Sequence, residues 1–304
     1  MRTPAILLTV LCGLAAGPAV QAFPAAAAAS VQVQAAERNA ALDYWRLITL
    51  EHGGDDLFEQ AGLALRLMHP GEDAEEPPAD EPAALKPGAE LANSLADLDS
   101  YFDDVERASR TPSCDFQIRY EDGYAVLMPH LGPLRKIGRL MVADARRLAL
   151  EGDFAGAAER LAATLRLARH MTGDRTLISS LVSVAISDQA MKEGLWLLER
   201  SQDAPAVREA LAAGVGRFPQ DDPYFVEGAL RVERDMIGLL ARQFSGPKAG
   251  QDFLDAFATT LSPETDEPAR AIAAMNAQQF KAETERGVDA FDLILEAWRS
   301  DDPA

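Results

Sequence analysis

An all-α fold of antiparallel helical hairpins, arranged as a bundle or short solenoid, is predicted by three observations. The 304 residues include 55 alanines, the strongest helix former, and 48% of the chain is apolar. Over most of the length, apolar residues recur at steps of three and four. The breaks between these runs are short and rich in Gly, Pro, Asp and Ser.

The N-terminus carries Arg2, an apolar run from Ala5 to Ala16, and small or modest residues at Val20-Gln21-Ala22. This pattern predicts a secretory signal peptide over residues 1–22 and an exported protein, periplasmic or extracellular. The run is shorter than the roughly 20 residues that a bilayer span needs, and no later stretch predicts a transmembrane segment after cleavage. Cleavage shifts the formal charge from −19 to −20 and leaves Cys114 as the single cysteine, so no internal disulfide is expected. So acidic a chain is not built to bind nucleic acid, whose phosphates need a basic surface.

Residues 23–32 read as a flexible mature N-terminus, followed by a single helical domain over 33–302. The first helix is expected from Ala35 to Leu50, with Leu42, Trp45 and Leu47-Ile48 at near-helical spacing. Gly53-Gly54 ends it, and a second helix follows to about Met68. Residues 69–88 hold five prolines and six acids against one lysine, which predicts an exposed acidic loop. A third helix is expected from Ala89 to Ser109, with Leu91, Leu95, Leu98, Phe102 and Val105 as its buried stripe. Asp99, Asp103 and Glu106 share another face, which reads as solvated because no second element converges to make it a metal site.

Residues 113–127 break the helical period. Phe116, Ile118 and Tyr120 alternate, as do Tyr124 and Val126, with Asp122-Gly123 between them. This predicts either a short β-hairpin or an irregular tract. Helical faces resume at Leu134, Ile137, Met141, Ala145 and Leu148, and again at Phe154, Ala158, Leu161, Leu165 and Ala168. The tight Glu151-Gly152-Asp153 break makes these two helices an antiparallel hairpin. Leu148 to Leu161 resembles the inside of a tetratricopeptide repeat, although no second copy follows at the repeat period.

The helix expected over Asp174 to Arg200 is apolar around much of its circumference. Leu177, Leu181, Val184, Met191, Leu195 and Leu198 mark one side. Thr176, Ser180, Ser183 and Ser187 form a hydroxyl stripe, read as a polar groove or as a seam for close packing. Further helices are expected at Ala204 to Val215, Pro223 to Phe244, Gln251 to Leu261, Pro268 to Glu285 and Gly287 to Arg299. The last is expected to dock through Val288, Phe291, Ile294, Leu295 and Trp298 and to close one common core.

The sequence motifs of zinc proteases, P-loops, serine hydrolases and EF-hands are absent. No cofactor or metal is expected. The most distinctive tract runs from Cys114-Asp115 through Glu121-Asp122-Gly123 to Pro129-His130. A cysteine nucleophile needs a base such as His130, so Cys114, Asp115, Glu121 and His130 are the catalytic candidates. The competing reading is a lone buried cysteine and a capping histidine.

Residues 130–175 carry nine Lys+Arg against five acids, within a chain that is otherwise strongly acidic. Arg135, Arg139 and Arg146 fall on one helical face. Either they pair with acids of the same chain, or they form a binding face for an anionic partner.

The residues Asn39-Ala40-Ala41-Leu42-Asp43-Tyr44, Cys114-Asp115, Tyr120-Glu121-Asp122-Gly123, Met128-Pro129-His130-Leu131, Leu134-Arg135, Gly152-Asp153-Phe154, Leu167-Ala168-Arg169-His170 and Leu177-Ile178 carry a resemblance. Over roughly residues 37–200 the chain resembles an uncharacterised family of secreted, helical bacterial proteins. Phe116 stands where that family carries a tryptophan. The resemblance implies an exported helical protein and brings no catalytic residue or cofactor with it. The expected function is therefore a non-enzymatic scaffold or binding protein of the cell envelope, with an envelope protein or an anionic molecule as partner. The alternative is an envelope-acting hydrolase or transferase using the Cys114–His130 tract.

Overall fold

The computed structural model describes residues 38–49, 89–120, 128–256 and 267–299. The expected signal peptide, the second helix, the acidic 69–88 tract and Glu121 lie outside these residues. The described residues form eleven α-helices and one 3-10 turn. The fold is all-α.

Helix α1 is Ala40–Thr49. Tyr44 and Leu47 face inward, while Leu42 points out to solvent. The expected third helix is two helices, α2 (Ala89–Ala96) and α3 (Asp99–Ser109). At the joint, the Leu98 amide bonds back only three residues, to the Leu95 carbonyl. That tighter turn re-aims α3 so that Asp99 reaches Arg147, 2.8 Å away. Leu95, Phe102 and Val105 are buried as the stripe predicted.

Helices α4 (Leu131–Glu151) and α5 (Phe154–Met171) pack on each other across a two-residue turn. Gly152 takes the left-handed conformation there, φ 92°, which a residue with a Cβ adopts only at a cost. Asp153 then caps α5 by accepting the Gly156 amide hydrogen. Helix α5 is the hub, packed against α3, α4, α6 (Leu177–Arg200) and α7 (Pro205–Val215).

Helix α6 opens on a capping box between Thr176 and Ser179. Its hydroxyl side faces in: Ser180, Ser183 and Ser187 are buried, and Ser183 donates to the Ala168 carbonyl at 2.7 Å. The side of large apolar residues faces out, with Leu181 55% and Leu195 64% exposed. This reverses the core face expected from hydrophobicity. Small side chains let two helix backbones approach, and here that proximity decides the rotation of α6. Asp188 needs no buried partner, because it is half-exposed and paired with Lys192.

Helices α8 (Val226–Gln243), α9 (Ala249–Ala256), α10 (Glu267–Ala273) and α11 (Ala277–Arg299) complete the described chain. The break expected before Gly287 falls instead at residues 274–276. Asn276 caps α11 by accepting the Gln279 amide, and the Gln279 side chain accepts the Asn276 amide. This reciprocal cap starts the helix ten residues early and carries it through Gly287. Phe291 and Leu295 dock as expected, while Trp298 is half-exposed.

Among the described residues, the buried apolar side chains fall into three clusters. The first joins α1, α3, α4 and α5 around Tyr44 and Phe102. The second joins α4, α5, α6 and α7. The third belongs to α8–α11 around Phe253 and Phe280.

Of the carboxylates expected to form a solvated face, Asp99 and Asp103 are exposed as expected and Glu106 is half-buried, and they also partner cations. Glu106 lies 3.0 Å from Arg160, and Asp99 lies 2.8 Å from Arg147. Both arginines also hold the fully buried Asp144, at 2.8 and 2.7 Å.

Candidate functional site

After α3 the chain runs extended along α1. The Asn39 side chain pairs with it as a strand would, donating to the Asp115 carbonyl at 2.8 Å and accepting the Asp115 amide at 2.9 Å. The Ala40 amide donates to the Ser113 carbonyl. Only one isolated bridge, Asn39 to Ser113, results, so this half of the expected β-hairpin is not a strand. The other half lies outside the described residues. Gly173 closes on the same segment from the far side. A Cβ on it would sit 2.8 Å from the Cys114 carbonyl oxygen, so only glycine fits without a shift.

A cavity of about 350 Å³ opens between this segment and the ends of α3 and α5. Arg110, Arg166, Arg169 and Arg217 line it, with His170 and the Ser109, Thr111 and Ser113 hydroxyls. Arg110 caps the end of α3, Arg169 lies in the last turn of α5, and Arg217 follows α7. Helix C-termini favour cations, which accounts for these three one at a time.

Arg166 is different. It lies one turn further into α5 and is 8% exposed. Its Nε donates to Ser109 Oγ at 3.1 Å. Among the described residues its buried Nη2 makes no hydrogen bond, and its ion-pair partner, the half-exposed Glu159, is 3.9 Å away. Burial lowers the guanidinium pKa, Glu159 and Glu106 oppose that shift, and Arg110 and Arg217 add to it. A buried cation beside like charges is costly unless something negative shares the site.

His170 is neutral at pH 7. Burial holds its pKa at about 4, and Arg169, Arg166 and Arg217 press in the same direction. It donates from Nε2 to the Thr111 carbonyl and accepts the Tyr44 hydroxyl at Nδ1, both at 3.0 Å. It fixes the rim without adding charge.

The sequence-predicted residues are distributed around this site. Cys114 lines the cavity. Burial, with Asp174 and Asp115 nearby, pushes its thiol well above the usual range, so it is not a thiolate at neutral pH. Asp115 is exposed and accepts the Gln117 amide at 2.7 Å. His130 is at the N-terminus of α4 but makes no side-chain cap. Its ring is buried, stacked on Phe116 at 3.9 Å, with Nε2 2.7 Å from Asp174 Oδ2. Burial raises the Asp174 pKa, and the hydrogen bond with His130 draws it back. Nδ1 of His130 is buried without a hydrogen-bond partner, so neither the Cys114 thiol nor any described hydroxyl completes a relay through it.

The three basic-face residues separate. Arg146 grips Glu193 with two hydrogen bonds, at 2.5 and 2.7 Å, and lies over Trp196. It is paired within the chain. Arg135 is exposed and Arg139 is half-buried. Among the described residues, no group of three His, Cys, Asp or Glu is placed to hold a metal ion. No described helix is long and apolar enough to cross a membrane.

No family model, curated protein or solved structure matches the chain. The cavity arginines were missed as a group because they come from separate stretches of sequence. One signal was present: Arg166 interrupts the run from Leu161 to Ala168, which is otherwise apolar but for one threonine.

Proposed function

We propose that the chain is an exported, non-enzymatic binding protein of the cell envelope that holds an anionic ligand in the arginine-lined cavity. The observation that carries this reading is the buried Nη2 of Arg166, which makes no hydrogen bond among the described residues and only a long ion pair, at a cavity with three further arginines. Hydrogen bonds between guanidinium and oxyanion are charge-assisted and strong, and an anion supplies the missing acceptor. Helices α4 and α5 serve as a tetratricopeptide-like scaffold, with the ligand held at the end of the hairpin rather than along a repeat groove. The raised Cys114 pKa and the commitment of His130 to Asp174 favour binding over thiol chemistry.

Native mass spectrometry of protein purified from the envelope at low salt tests this reading. The wild type is expected to carry a small acidic adduct that Arg166→Met lacks. An adduct-free wild type, or equal adducts in both, contradicts it. Cell fractionation with N-terminal sequencing tests export, with a mature terminus near Phe23 expected.

A further inference from the structure

Four arginines line the cavity from three elements: α3, α5 and the turn after α7. A carboxylate offers two oxygens in one plane and is best met by one or two coplanar guanidinium forks. A tetrahedral oxyanion offers three or four equivalent oxygens in three dimensions, which suits arginines supplied by three separate elements.

Charge balance points the same way. Glu159 approaches Arg110 at 3.5 Å and Arg166 at 3.9 Å. Glu106 lies 3.1 Å from Arg110 but is shared with Arg160. His170 adds no charge. Asp174, bonded to His130, and Asp115 lie near Cys114 on the same lining. Among the described residues only Glu159 and the shared Glu106 pair with the four lining arginines, which leaves net positive charge for a phosphate. The space is larger than one phosphate group and falls in the range of small-molecule pockets.

We infer that the cavity binds the phosphate group of a phosphomonoester, with Arg166 as its buried anchor and the flanking arginines as its rim. This rests on the anion-binding reading above. The same chemistry is offered by free phosphate, by a soluble phosphomonoester and by a phosphomonoester lipid headgroup.

Isothermal titration at low ionic strength separates these sources and tests the inference. The probes are inorganic phosphate, glycerol 3-phosphate, succinate, and vesicles with or without phosphatidic acid. Phosphate or glycerol 3-phosphate is expected to bind at least tenfold tighter than succinate, and binding only to phosphatidic acid vesicles assigns the lipid source. Arg166→Met is expected to weaken the preferred probe at least tenfold. Arg217→Gln, at an exposed position where folding is not at risk, is expected to weaken it several-fold. Succinate binding as tightly as either phosphate overturns the phosphate inference while sparing the anion reading. Binding of no probe overturns both, as does binding that both variants leave unchanged.

Discussion

Arg166 and Ser109 are joined by a single 3.1 Å hydrogen bond from guanidinium Nε to hydroxyl Oγ, and that contact holds a buried cation at the cavity without neutralising it. Ser109 in turn donates to the Glu106 carbonyl at 2.7 Å, so the hydroxyl is fixed by the last turn of α3. The relationship separates stability from function, since the residue best placed to bind an anion is badly placed to stabilise the empty protein.

Arg166→Met should therefore leave the unliganded protein as stable as the wild type or more so, by up to about 2 kcal/mol, because it removes a desolvated charge and keeps the side-chain volume. Urea unfolding in a buffer without multivalent anions measures this. A loss above about 2 kcal/mol would show that the arginine is already neutralised inside the folded chain.

His170 should make the protein acid-labile. Its pKa is near 6.5 when unfolded and about 4 when folded, so the unfolded state binds the extra proton between those values. Stability falls as pH drops from about 6.5 to 4, by about 3 kcal/mol from this residue. Asp144, Asp174, Glu106 and Glu233 act in the opposite sense, since burial raises each of them. The difference between wild type and His170→Gln isolates the histidine. Parallel stability curves from pH 7 to pH 4 would show that His170 is not held neutral.

Cys114 should be slow to alkylate in the folded protein. Its raised pKa cuts the thiolate fraction at neutral pH, and the greater nucleophilicity of the residual thiolate restores only part of the rate. Iodoacetamide is expected to react about a hundredfold more slowly, or slower still, with native than with urea-unfolded chain. His130→Ala should leave the native rate unchanged in any molecule that stays folded. Rapid native alkylation that depends on His130 would revive the thiol chemistry.

The rotation of α6 is open to an equally direct check. Leu195→Ser should change stability by no more than about 0.5 kcal/mol, as at an exposed site. Ser183→Leu should cost about 1–3 kcal/mol, because it forces bulk between α6 and α5 and removes the bond to Ala168. The opposite ranking would restore the face predicted from hydrophobicity.

These contrasts show where sequence patterning works. Leu95, Phe102, Val105, Leu134, Ile137, Met141, Leu161 and Leu165 are buried where their spacing put them, because each lies on a helix with one clear apolar side. Helix α6 has no such contrast. Its orientation comes from serine-sized gaps against α5, a property of two surfaces meeting. The start of α11 is set by the reciprocal cap of Asn276 and Gln279, a local signal weaker than the apolar spacing around it. At the site, Cys114 was found beside the cavity, whereas the pairing of His130 with Asp174 spans 44 residues and left no periodic trace. Arg110, Arg166 and Arg217 converge only after α3, α5 and α7 have packed.

The central claim is that an anion completes Arg166, and a crystal structure of the wild-type chain soaked with tungstate, a heavy tetrahedral dianion, tests it most directly. The account predicts anomalous density within hydrogen-bonding distance of Arg166 Nη2 and of at least one of Arg110, Arg169 and Arg217. An empty cavity, with Arg166 Nη2 bonded instead to a carboxylate of its own chain, would contradict it.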